Sequence, residues 1–592
     1  MNAASVFASR LADLRAELHR QSLDGLLVPR ADEHLGEYVP AGAERLLWLT
    51  GFSGSAGMAV VLQNHACAFT DGRYVLQLAS QTDPTLWERR HITDQPPAAW
   101  VIEKGGAQAR IGYDPLLFSE DQLARLTEAG LTLVATDSNP IDVIWADRPP
   151  APAGLALPHR LEWAGQTSEQ KRQAVAASLR EARQQAAVLT DPASIAWLFN
   201  LRGADVPFTP FALAFALIGD DGGCELFIDP AKVPAETRDW LGNAVSVQPR
   251  AALAPALARL AGKRVRVDAG GAPAWFAQRL RAAGAEVVAG MDPCLLPKAC
   301  KNETERQGAR NAHARDGVAV CRFLHWLTGA AGEAGEMSAA ARLLHFRKAL
   351  PSFRGEAFPA ISGAGENGAI IHYRVTPATD RRIGRNETYL CDSGAQFSDG
   401  TTDITRTIWT GPDAAPPELK DRVTRVLKGH IAIATLRFPQ GVAGAHLDSF
   451  ARRALWQVGL DYDHGTGHGV GSYLSVHEGP VSLSRAARPV ALAEGMILSN
   501  EPGYYLPGSY GIRLENLLLV QPADLPAATR PFLCFETLSL APFDRALIEA
   551  ALLTADELAW LDAYHACVLR EVGPALDDQA AAWLVTACAP IT

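Results

Sequence analysis

The sequence has no CxxC pair and no cluster of cysteines, although it contains nine of them. They are scattered and odd in number, so neither a disulfide framework nor a zinc ribbon is indicated. The thiols are therefore expected to be reduced. Cys391 precedes an aspartate, and strand alternation should turn the two side chains to opposite faces, which makes this cysteine a small core residue.

Long apolar runs are missing too. No stretch approaches the length of a membrane span, and the N-terminal segment MNAASVFASRLADLRAELHRQ is an amphipathic helix pattern without the continuous apolar region of a signal peptide. We expect no membrane association and a cytoplasmic location. The 55 basic and 65 acidic residues form no long block of either sign and give a net charge of -10, so nucleic-acid binding is not expected.

The length and the patterns present indicate several domains. A chain of 592 residues, 48% hydrophobic and 20% charged, can form two to four globular domains with sizeable cores. Residues 1–155 alternate helices with short apolar strands and end in a linker rich in proline and glycine. Residues 156–300 repeat this plan after a helix that starts with a capping box at Thr167 or Ser168. We interpret the second segment as a duplication of the first.

The second half has a different plan. Residues 301–525 open with a long helix, and residues 526–592 predict a strand followed by amphipathic helices. The segment SGAGENG fits a GxGxxG dinucleotide pattern by its letters, but β-rich residues follow it where a helix is required, so a turn is predicted. His372 lies in the next segment, IIHYRV, which has a strand pattern. Taken alone, such a histidine is more often a satisfied core residue than a catalytic one.

Five metal-ligand side chains stand in three pieces between Tyr389 and Leu517. The first piece, YLCDSGAQFSDGTTDITRTI, predicts a hairpin with Asp392 and Asp403 placed symmetrically about its turn, as cross-strand partners. Like charges held this close must raise a pKa or share a metal. If the hairpin stood alone, a turn cap and a solvated aspartate would be the better interpretation.

The other two pieces supply the remaining ligands. DHGTGHGVGSYLSVHEGP is too rich in glycine for a regular helix, and one of His464 and His468 is expected to bind metal. MILSNEPGYYLPGSYGIRLEN places Glu501 and Glu515 beside apolar runs, where a charge needs a partner. Arg513 alternates to the same face as Glu515 and is expected to hold that carboxylate in position. Two Asp, two Glu and one His suit manganese, iron or cobalt better than a thiolate zinc site.

The three pieces, together with IIHYRV, resemble the metallopeptidases of the pita-bread fold, and in particular the long, three-domain Xaa-Pro aminopeptidases (aminopeptidase P). The resemblance covers essentially the whole chain and rests on DSGAQF, GTTDITRT, HGTGHGVGSYLSVHEGP, EPGYY and GIRLEN. It implies an α/β protein with two creatinase-like N-terminal domains, a pita-bread catalytic domain and a C-terminal extension. It also implies a homodimer that removes the first residue from peptides with proline in the second position.

The resemblance implies two divalent metal ions per subunit, with Mn²⁺ expected first and Co²⁺, Fe²⁺ or Zn²⁺ as alternatives. Asp392 and Asp403 would hold the first ion, and His468 and Glu501 the second. Asp403 and Glu515 would bridge both. Glu501 would also carry a proton from the attacking water to the proline nitrogen.

Further roles follow from the same resemblance. His372 lies at the mouth of the metal site and His477 binds the substrate or stabilises the reacting carbonyl, with His468 also facing the substrate. His464 supports the ligands from behind. Arg73, in TDGRY, corresponds to a position that contacts the peptide in the family. From the residues alone, Arg73 is only an arginine after a turn.

Three alternatives share the fold. Prolidases use the same ligands on dipeptides but usually lack the duplicated N-terminal pair and this C-terminal tail. Creatinase-like hydrolases work without metal and depart from the five-ligand pattern. Pita-bread modules that only bind peptides or proteins lose ligands, whereas this sequence keeps all five. One departure is Asn500, which precedes Glu501 where many relatives carry aspartate; activity is expected to survive it.

Overall fold

The computed structural model describes residues 3–591, so Met1, Asn2 and Thr592, including the first two residues of the predicted N-terminal helix, lie outside it. The chain forms two compact units, Met1–Arg160 with Gln166–Leu295, and Leu161–Gly165 with Leu296–Thr592. Both mix helices and strands, which confirms the α/β class. Among the described residues, no helix has the length and apolar character needed to cross a membrane.

The first unit contains two six-stranded sheets. The first sheet has the strands β1 (Gly25–Pro29), β2 (Met58–Leu62), β3 (Ala66–Thr70), β4 (Glu88–His91), β5 (Arg110–Tyr113) and β6 (Thr132–Ala135). The strands that follow are β7 (Leu157–Pro158), β8 (Ala186–Leu189), β9 (Leu201–Arg202), β10 (Phe215–Gly219), β11 (Cys224–Phe227), β12 (Val245–Gln248), β13 (Arg264–Val267) and β14 (Glu286–Ala289).

The two sheets have the same topology. Their orders are β4-β3-β2-β1-β5-β6 and β12-β11-β10-β8-β13-β14, and the antiparallel and parallel pairs occupy the same places in both. This is the arrangement expected of a duplicated domain. The central strands, such as β1 (GLLVP) and β10 (FALIG), are apolar because helices cover them.

Helices of the first unit pack on these sheets. They are α1 (Ala3–Arg20), α2 (Arg45–Thr50), α3 (Val75–Gln81), α4 (Pro97–Gly105), α5 (Glu120–Glu128), α6 (Pro140–Ile144), α8 (Ser168–Glu181), α9 (Pro192–Phe199), α10 (Ala235–Leu241), α11 (Leu253–Ala258) and α12 (Ala274–Ala282). The short helix α7 (Leu161–Ala164) belongs to the second unit, and α13 (Leu295–Ala299) begins at the last residue of the first unit. The predicted capping box is confirmed at Thr167, whose side chain accepts from the Gln170 N–H.

The second unit opens with the predicted long helix. Its helices are α14 (Glu303–Ala330), α15 (Glu336–Lys348), α16 (Pro417–Ala434), α17 (Gly444–Trp456), α18 (Ala555–Val572) and α19 (Asp578–Ala587). Asn302 caps α14 with a capping box, as its Asn-x-x-Glu sequence dictates. The tail is strand then helices, as predicted, and α18 and α19 contribute to the large core around α14 and α16.

Two main sheets build the site. Their strands are β15 (Phe353–Glu356), β16 (Ile361–Ala364), β17 (Thr388–Phe397), β18 (Gly400–Trp409), β19 (Arg437–Pro439), β20 (Gly467–Gly469), β21 (Glu478–Leu483), β22 (Ile497–Asn500), β23 (Gly503–Leu506), β24 (Tyr510–Arg513), β25 (Asn516–Ala523) and β26 (Phe532–Thr537). One sheet has the order β15-β17-β16 with β18 on β17, and the other β19-β26-β25-β22-β20-β21. β23 and β24 form a separate hairpin.

The strand prediction for IIHYRV was wrong. After β16 the chain makes a 3₁₀ turn at Gly365–Ala369, and His372 lies in a further turn closed by the bond from Tyr373 N–H to the Ile370 carbonyl. The predicted turn at SGAGENG is thereby confirmed. The apolar and β-branched residues of IIHYRV predicted a strand, but no neighbouring strand pairs with this segment. Side-chain contacts determine the path of its backbone instead.

Candidate metal centre

The predicted hairpin is confirmed, but its two aspartates are not opposite one another. In the β17-β18 register Asp392 pairs with Thr405 and Asp403 pairs with Gly394. The aspartates are therefore diagonal neighbours two positions apart on one face, roughly 7 to 8 Å between their backbones. This wider spacing leaves room for other ligands between the carboxylates. Gly394 is required beside Asp403, because a Cβ there would lie 2.4 Å from the Thr402 carbonyl oxygen.

The two glutamates are tied to this hairpin and to the glycine-rich segment. Glu515 lies between β24 and β25; its N–H donates to the Thr405 carbonyl at 3.1 Å, and the Thr405 hydroxyl donates to its Oε2 at 2.7 Å. Glu501 directly follows β22, where its N–H donates to the Thr466 carbonyl at 2.8 Å and the Ser499 hydroxyl donates to its Oε1 at 3.1 Å.

His468 is the histidine that faces the carboxylates. Its Nε2 lies 3.6 Å from Asp403 Oδ2 and 3.5 Å from Glu501 Oε1. Its Nδ1 lies 2.9 Å from the Gly469 carbonyl, which only accepts, so Nδ1 carries the proton and Nε2 offers a lone pair. The glycines on either side allow this approach, since a Cβ at Gly467 would lie 1.9 Å from the Ser499 carbonyl.

These side chains form a donor set that fits a divalent cation. One ligand atom from each of Asp403, His468 and Glu515 lies within 4.8 Å of the other two. Asp392 Oδ1 and Asp403 Oδ1 are buried and have no hydrogen-bond partner among the described residues. A buried carboxylate oxygen without a donor is costly, and a shared cation removes that cost. Asp403, His468 and Glu515 are thus able to hold a metal ion, and the parts of Asp392 and Glu501 as further ligands stay predictions.

The electrostatics of the carboxylates point the same way. Burial, together with the neighbouring charges of Glu515, Asp392 and Glu501, raises the pKa of Asp403 well above its usual value. Burial and the charges of Glu501 and Asp392 do the same to the pKa of Glu515. Burial, with Asp392 adding to it and Arg513 opposing it, raises the pKa of Glu501 to about 7. The protein concentrates negative charge where only protons or cations can neutralise it.

Strand alternation predicted that Arg513 holds Glu515, and this prediction was wrong. Arg513 binds Asp392 instead. Its Nη2 and Nε donate to Asp392 Oδ2 at 2.6 and 3.2 Å. Its Nη1 donates to the Tyr505 hydroxyl at 2.7 Å. The reason is the β17-β18 register, which places Asp392 beside the end of β24. The Glu515 carboxylate accepts its hydrogen bond from the Thr405 hydroxyl instead. The pairing orients one carboxylate and leaves its Oδ1 free.

His464 stands one step further from the carboxylates, and its role in supporting the ligands stays a prediction. Its Nδ1 lies 2.8 Å from the Gly465 carbonyl, so Nδ1 carries the proton and Nε2 accepts from the Tyr505 hydroxyl at 2.9 Å. The Tyr505 oxygen in turn accepts from Arg513, which binds Asp392. A continuous hydrogen-bonded chain therefore runs from His464 to Asp392.

Replacing Arg513 by lysine is expected to weaken metal binding by about 10- to 100-fold, the usual cost of losing a partner that orients a ligand. A lysine ammonium lacks the planar fork that binds Asp392 and Tyr505 together. Metal titration monitored by calorimetry measures the change. The exposed Arg570→Lys serves as the control, and equal affinities for the two variants would refute the assigned role.

His477 lies on a loop beside the site. His372 lies in the turn closed by Tyr373 and Ile370, and its place at the mouth of the site stays a prediction. The His477 ring stands edge-on to the His468 ring, with centroids 4.4 Å apart. The next residue, Glu478, is buried with Lys298 and Lys301; its carboxylate accepts from Lys298 Nζ at 2.9 Å, and the two lysines lower its pKa although burial opposes them. This buried ion cluster anchors the loop of His477.

Two contacts were missed in the sequence: Thr405 on Glu515 and Ser499 on Glu501. Each stands two residues from a ligand in the same strand run, Thr405 from Asp403 and Ser499 from Glu501. Side chains two apart share a face of a strand, so this spacing was the available signal.

Arg73 belongs to the first compact unit. Its guanidinium makes a forked ion pair with Asp71, at 3.0 and 2.7 Å, and about 30% of its side chain is exposed. The substrate contact implied by the resemblance stays a prediction. Cys391 is buried in the core of the second unit, as expected from strand alternation.

Four segments of the chain match known protein families. Residues 307–522 match metallopeptidase family M24, and residues 531–591 match the C-terminal region of that family. Residues 10–144 and 147–305 each match a creatinase/prolidase N-terminal domain. The carboxylate and histidine cluster lies within the M24 segment. Fold and site together thus define a metallopeptidase with creatinase-type N-terminal domains.

The full-length relatives narrow this class. A probable Xaa-Pro aminopeptidase P of Coprinopsis cinerea is 38% identical, covering 99% of this chain and 98% of its own, and the aminopeptidase P1 of Arabidopsis thaliana is 36% identical over 99% of both. The chain belongs to the Xaa-Pro aminopeptidase P family, whose members are metallo-aminopeptidases.

Solved structures agree. The X-prolyl aminopeptidase of Caenorhabditis elegans, described as a cytosolic enzyme with a di-nuclear active site, has a TM-score of 0.93 at 32% identity and covers 99% of this chain and 100% of its own. The prolidase of Thermococcus sibiricus reaches 0.51 at 19% identity and covers 64% of this chain and 98% of its own. The prolidase likeness shows a shared fold and leaves about a third of this chain unmatched.

Proposed function

We propose that this protein hydrolyses the peptide bond between the first residue and a proline in the second position of peptides, using two divalent metal ions. The observation that carries the proposal is the convergence of Asp403, His468 and Glu515 on one point, with unpartnered buried oxygens on Asp392 and Asp403. The full-length likeness to Xaa-Pro aminopeptidases supplies the substrate class.

The residues would hold the ions as the resemblance implies: Asp392 and Asp403 the first, His468 and Glu501 the second, with Asp403 and Glu515 shared. When bound, two such ions supply Lewis acidity that activates a water molecule and polarises the scissile carbonyl. Oxygen-rich ligands with one imidazole favour Mn²⁺, with Co²⁺, Fe²⁺ or Zn²⁺ as alternatives.

The protein's own groups complete the reaction. Glu501 takes the proton of the attacking water and delivers it to the proline nitrogen as the C–N bond breaks. His477 donates a hydrogen bond to the oxyanion. His372, His468 and Arg73 contact the substrate, and His464 and Arg513 keep the ligands oriented.

Hydrolysis of Arg-Pro-Pro and of Arg-Pro by chelator-stripped protein, with and without Mn²⁺, tests the proposal. We expect release of arginine from the tripeptide, dependent on metal and faster than cleavage of the dipeptide. Preference for Arg-Pro would instead indicate a prolidase. No cleavage of either peptide, with metal demonstrably bound, would show that the substrate class is wrong.

Replacing His477 by alanine is expected to lower kcat by about 10²- to 10³-fold, the cost of one oxyanion donor, with metal content unchanged. Its ring touches the ligand His468 but is not itself assigned as a ligand. Steady-state kinetics beside metal analysis measures both quantities, with the exposed His345→Ala as control. Loss of metal in the His477 variant would make this residue a ligand instead.

We further propose that the protein is cytoplasmic and a homodimer. The Caenorhabditis elegans relative is described as a cytosolic enzyme, which supports the location. The dimer rests on the resemblance alone. Light scattering coupled to size-exclusion chromatography tests it, and a mass of one chain at micromolar concentration would contradict it.

A further inference from the structure

A buried carboxylate outside the metal centre organises the segment that carries His372. Glu336 is the first residue of α15 and is fully buried. Its Oε1 accepts from the Ala364 N–H at 2.7 Å, and its Oε2 accepts from the Tyr373 hydroxyl at 2.9 Å. The Asn367 amide donates to both oxygens, at 3.0 and 3.1 Å. These donors lie on both sides of His372 in the chain.

Regular secondary structure does little to keep this segment in place. Residues 370–387 contain no helix or strand beyond a single isolated bridge at Arg382. Of residues 371–380, all of which the structure describes, only Tyr373 is buried. Its ring packs with Leu390 of β17, two residues before the metal-site Asp392. Its hydroxyl donates to Glu336, accepts from the Asn367 amide at 2.9 Å and lies 3.1 Å from the Thr379 carbonyl, a second acceptor within the segment.

We propose that Glu336, acting through Tyr373, is a positioning residue that holds His372 at the substrate side of the metal centre. The inference rests on the proposed function, because it assigns His372 a contact with peptides that carry proline in the second position. His372 directly precedes Tyr373, so a rigid Tyr373 restricts the backbone from which His372 projects. Without that anchor the exposed segment pays an ordering cost whenever substrate binds.

Tyr373→Phe in the full-length, Mn²⁺-loaded protein isolates the effect, because it removes one hydroxyl and keeps the packed ring. Hydrogen bonds to charged groups are the stronger ones, so kcat/KM for Arg-Pro-Pro is expected to fall about tenfold, mainly through KM. Metal content and melting temperature are expected to stay near those of the wild type. Tyr510→Phe is the matched control, since that hydroxyl is buried without a hydrogen-bond partner in the described chain.

A double-mutant cycle with His372→Ala separates positioning from a general structural effect. In the His372→Ala background, adding Tyr373→Phe is expected to change kcat/KM less than about twofold, because the group it positions is gone. Hydrogen exchange of amides 371–380 is expected to speed up in Tyr373→Phe and to remain unchanged in Tyr510→Phe. Glu336→Gln, which cannot accept all of these bonds, is expected to show a larger loss in the same direction.

Three results would overturn the inference: wild-type kcat/KM in Tyr373→Phe, the same tenfold loss in the absence of the His372 ring, or unchanged exchange of residues 371–380. If the wild type itself does not cleave Arg-Pro-Pro, the proposed function fails, and the inference fails with it. If the wild type cleaves the tripeptide and Tyr373→Phe behaves identically, the inference alone fails.

Discussion

Asp403→Ala and Glu515→Ala are each expected to remove metal and peptidase activity together. Each side chain offers a ligand atom where carboxylates and the His468 imidazole converge. Under the proposed assignment both carboxylates are shared between two ions, so the loss of either removes a ligand from each ion. We expect kcat/KM to fall at least about a thousandfold, or ~4 kcal/mol of transition-state stabilisation. Kinetics with Arg-Pro-Pro and elemental analysis of the same samples measure both effects.

The exposed Asp524→Ala provides a control that removes one negative charge from the same unit without touching the cluster. It should keep full metal content and activity. Two bound ions in either ligand variant would contradict the assignment of a bridging carboxylate, even if activity were lost.

Glu501→Gln is expected to stabilise the metal-free protein at neutral pH. Burial raises the pKa of Glu501 from 4.5 to about 7, so between these values the folded state binds a proton that the unfolded state has released. The contribution of this group to stability is therefore present below pH 4.5 and declines as pH rises toward 7. Glutamine does not titrate. The free energy of unfolding of the variant should exceed that of the wild type by on the order of 3 kcal/mol at pH 7.5 and by almost nothing at pH 4.5.

Chelator-stripped proteins unfolded in urea at several pH values supply this measurement. Comparing the two proteins cancels the titration of groups that Glu501 does not influence, such as buried His430, whose pKa burial lowers to about 3 and whose stability contribution has the opposite slope. A stability difference that is constant from pH 4.5 to 7.5 would refute the predicted titration. With Mn²⁺ added, the order of stabilities should reverse, because only the wild type keeps its full ligand set.

The strand and turn patterns predicted much of the local structure. The β17-β18 hairpin, the glycine-rich segment around His468, the capping box at Thr167 and the turn at SGAGENG depend on neighbours close in sequence, and a single sequence contains that information. The strand predicted for IIHYRV failed for the converse reason. Its path depends on Glu336, more than thirty residues earlier in the chain, which no periodicity reveals.

What the sequence determined by itself was the inventory of the site: which carboxylates and histidines are present, and that buried charges at these positions need a cation. The tertiary structure decided how they are used. In the fold, Asp392 and Asp403 are diagonal neighbours, and Arg513 binds Asp392 and not Glu515. The His468 ring faces the carboxylates, and His464 accepts a hydrogen bond from Tyr505. These choices depend on strand register and on contacts between segments far apart in the chain, and local propensity carries no information about either.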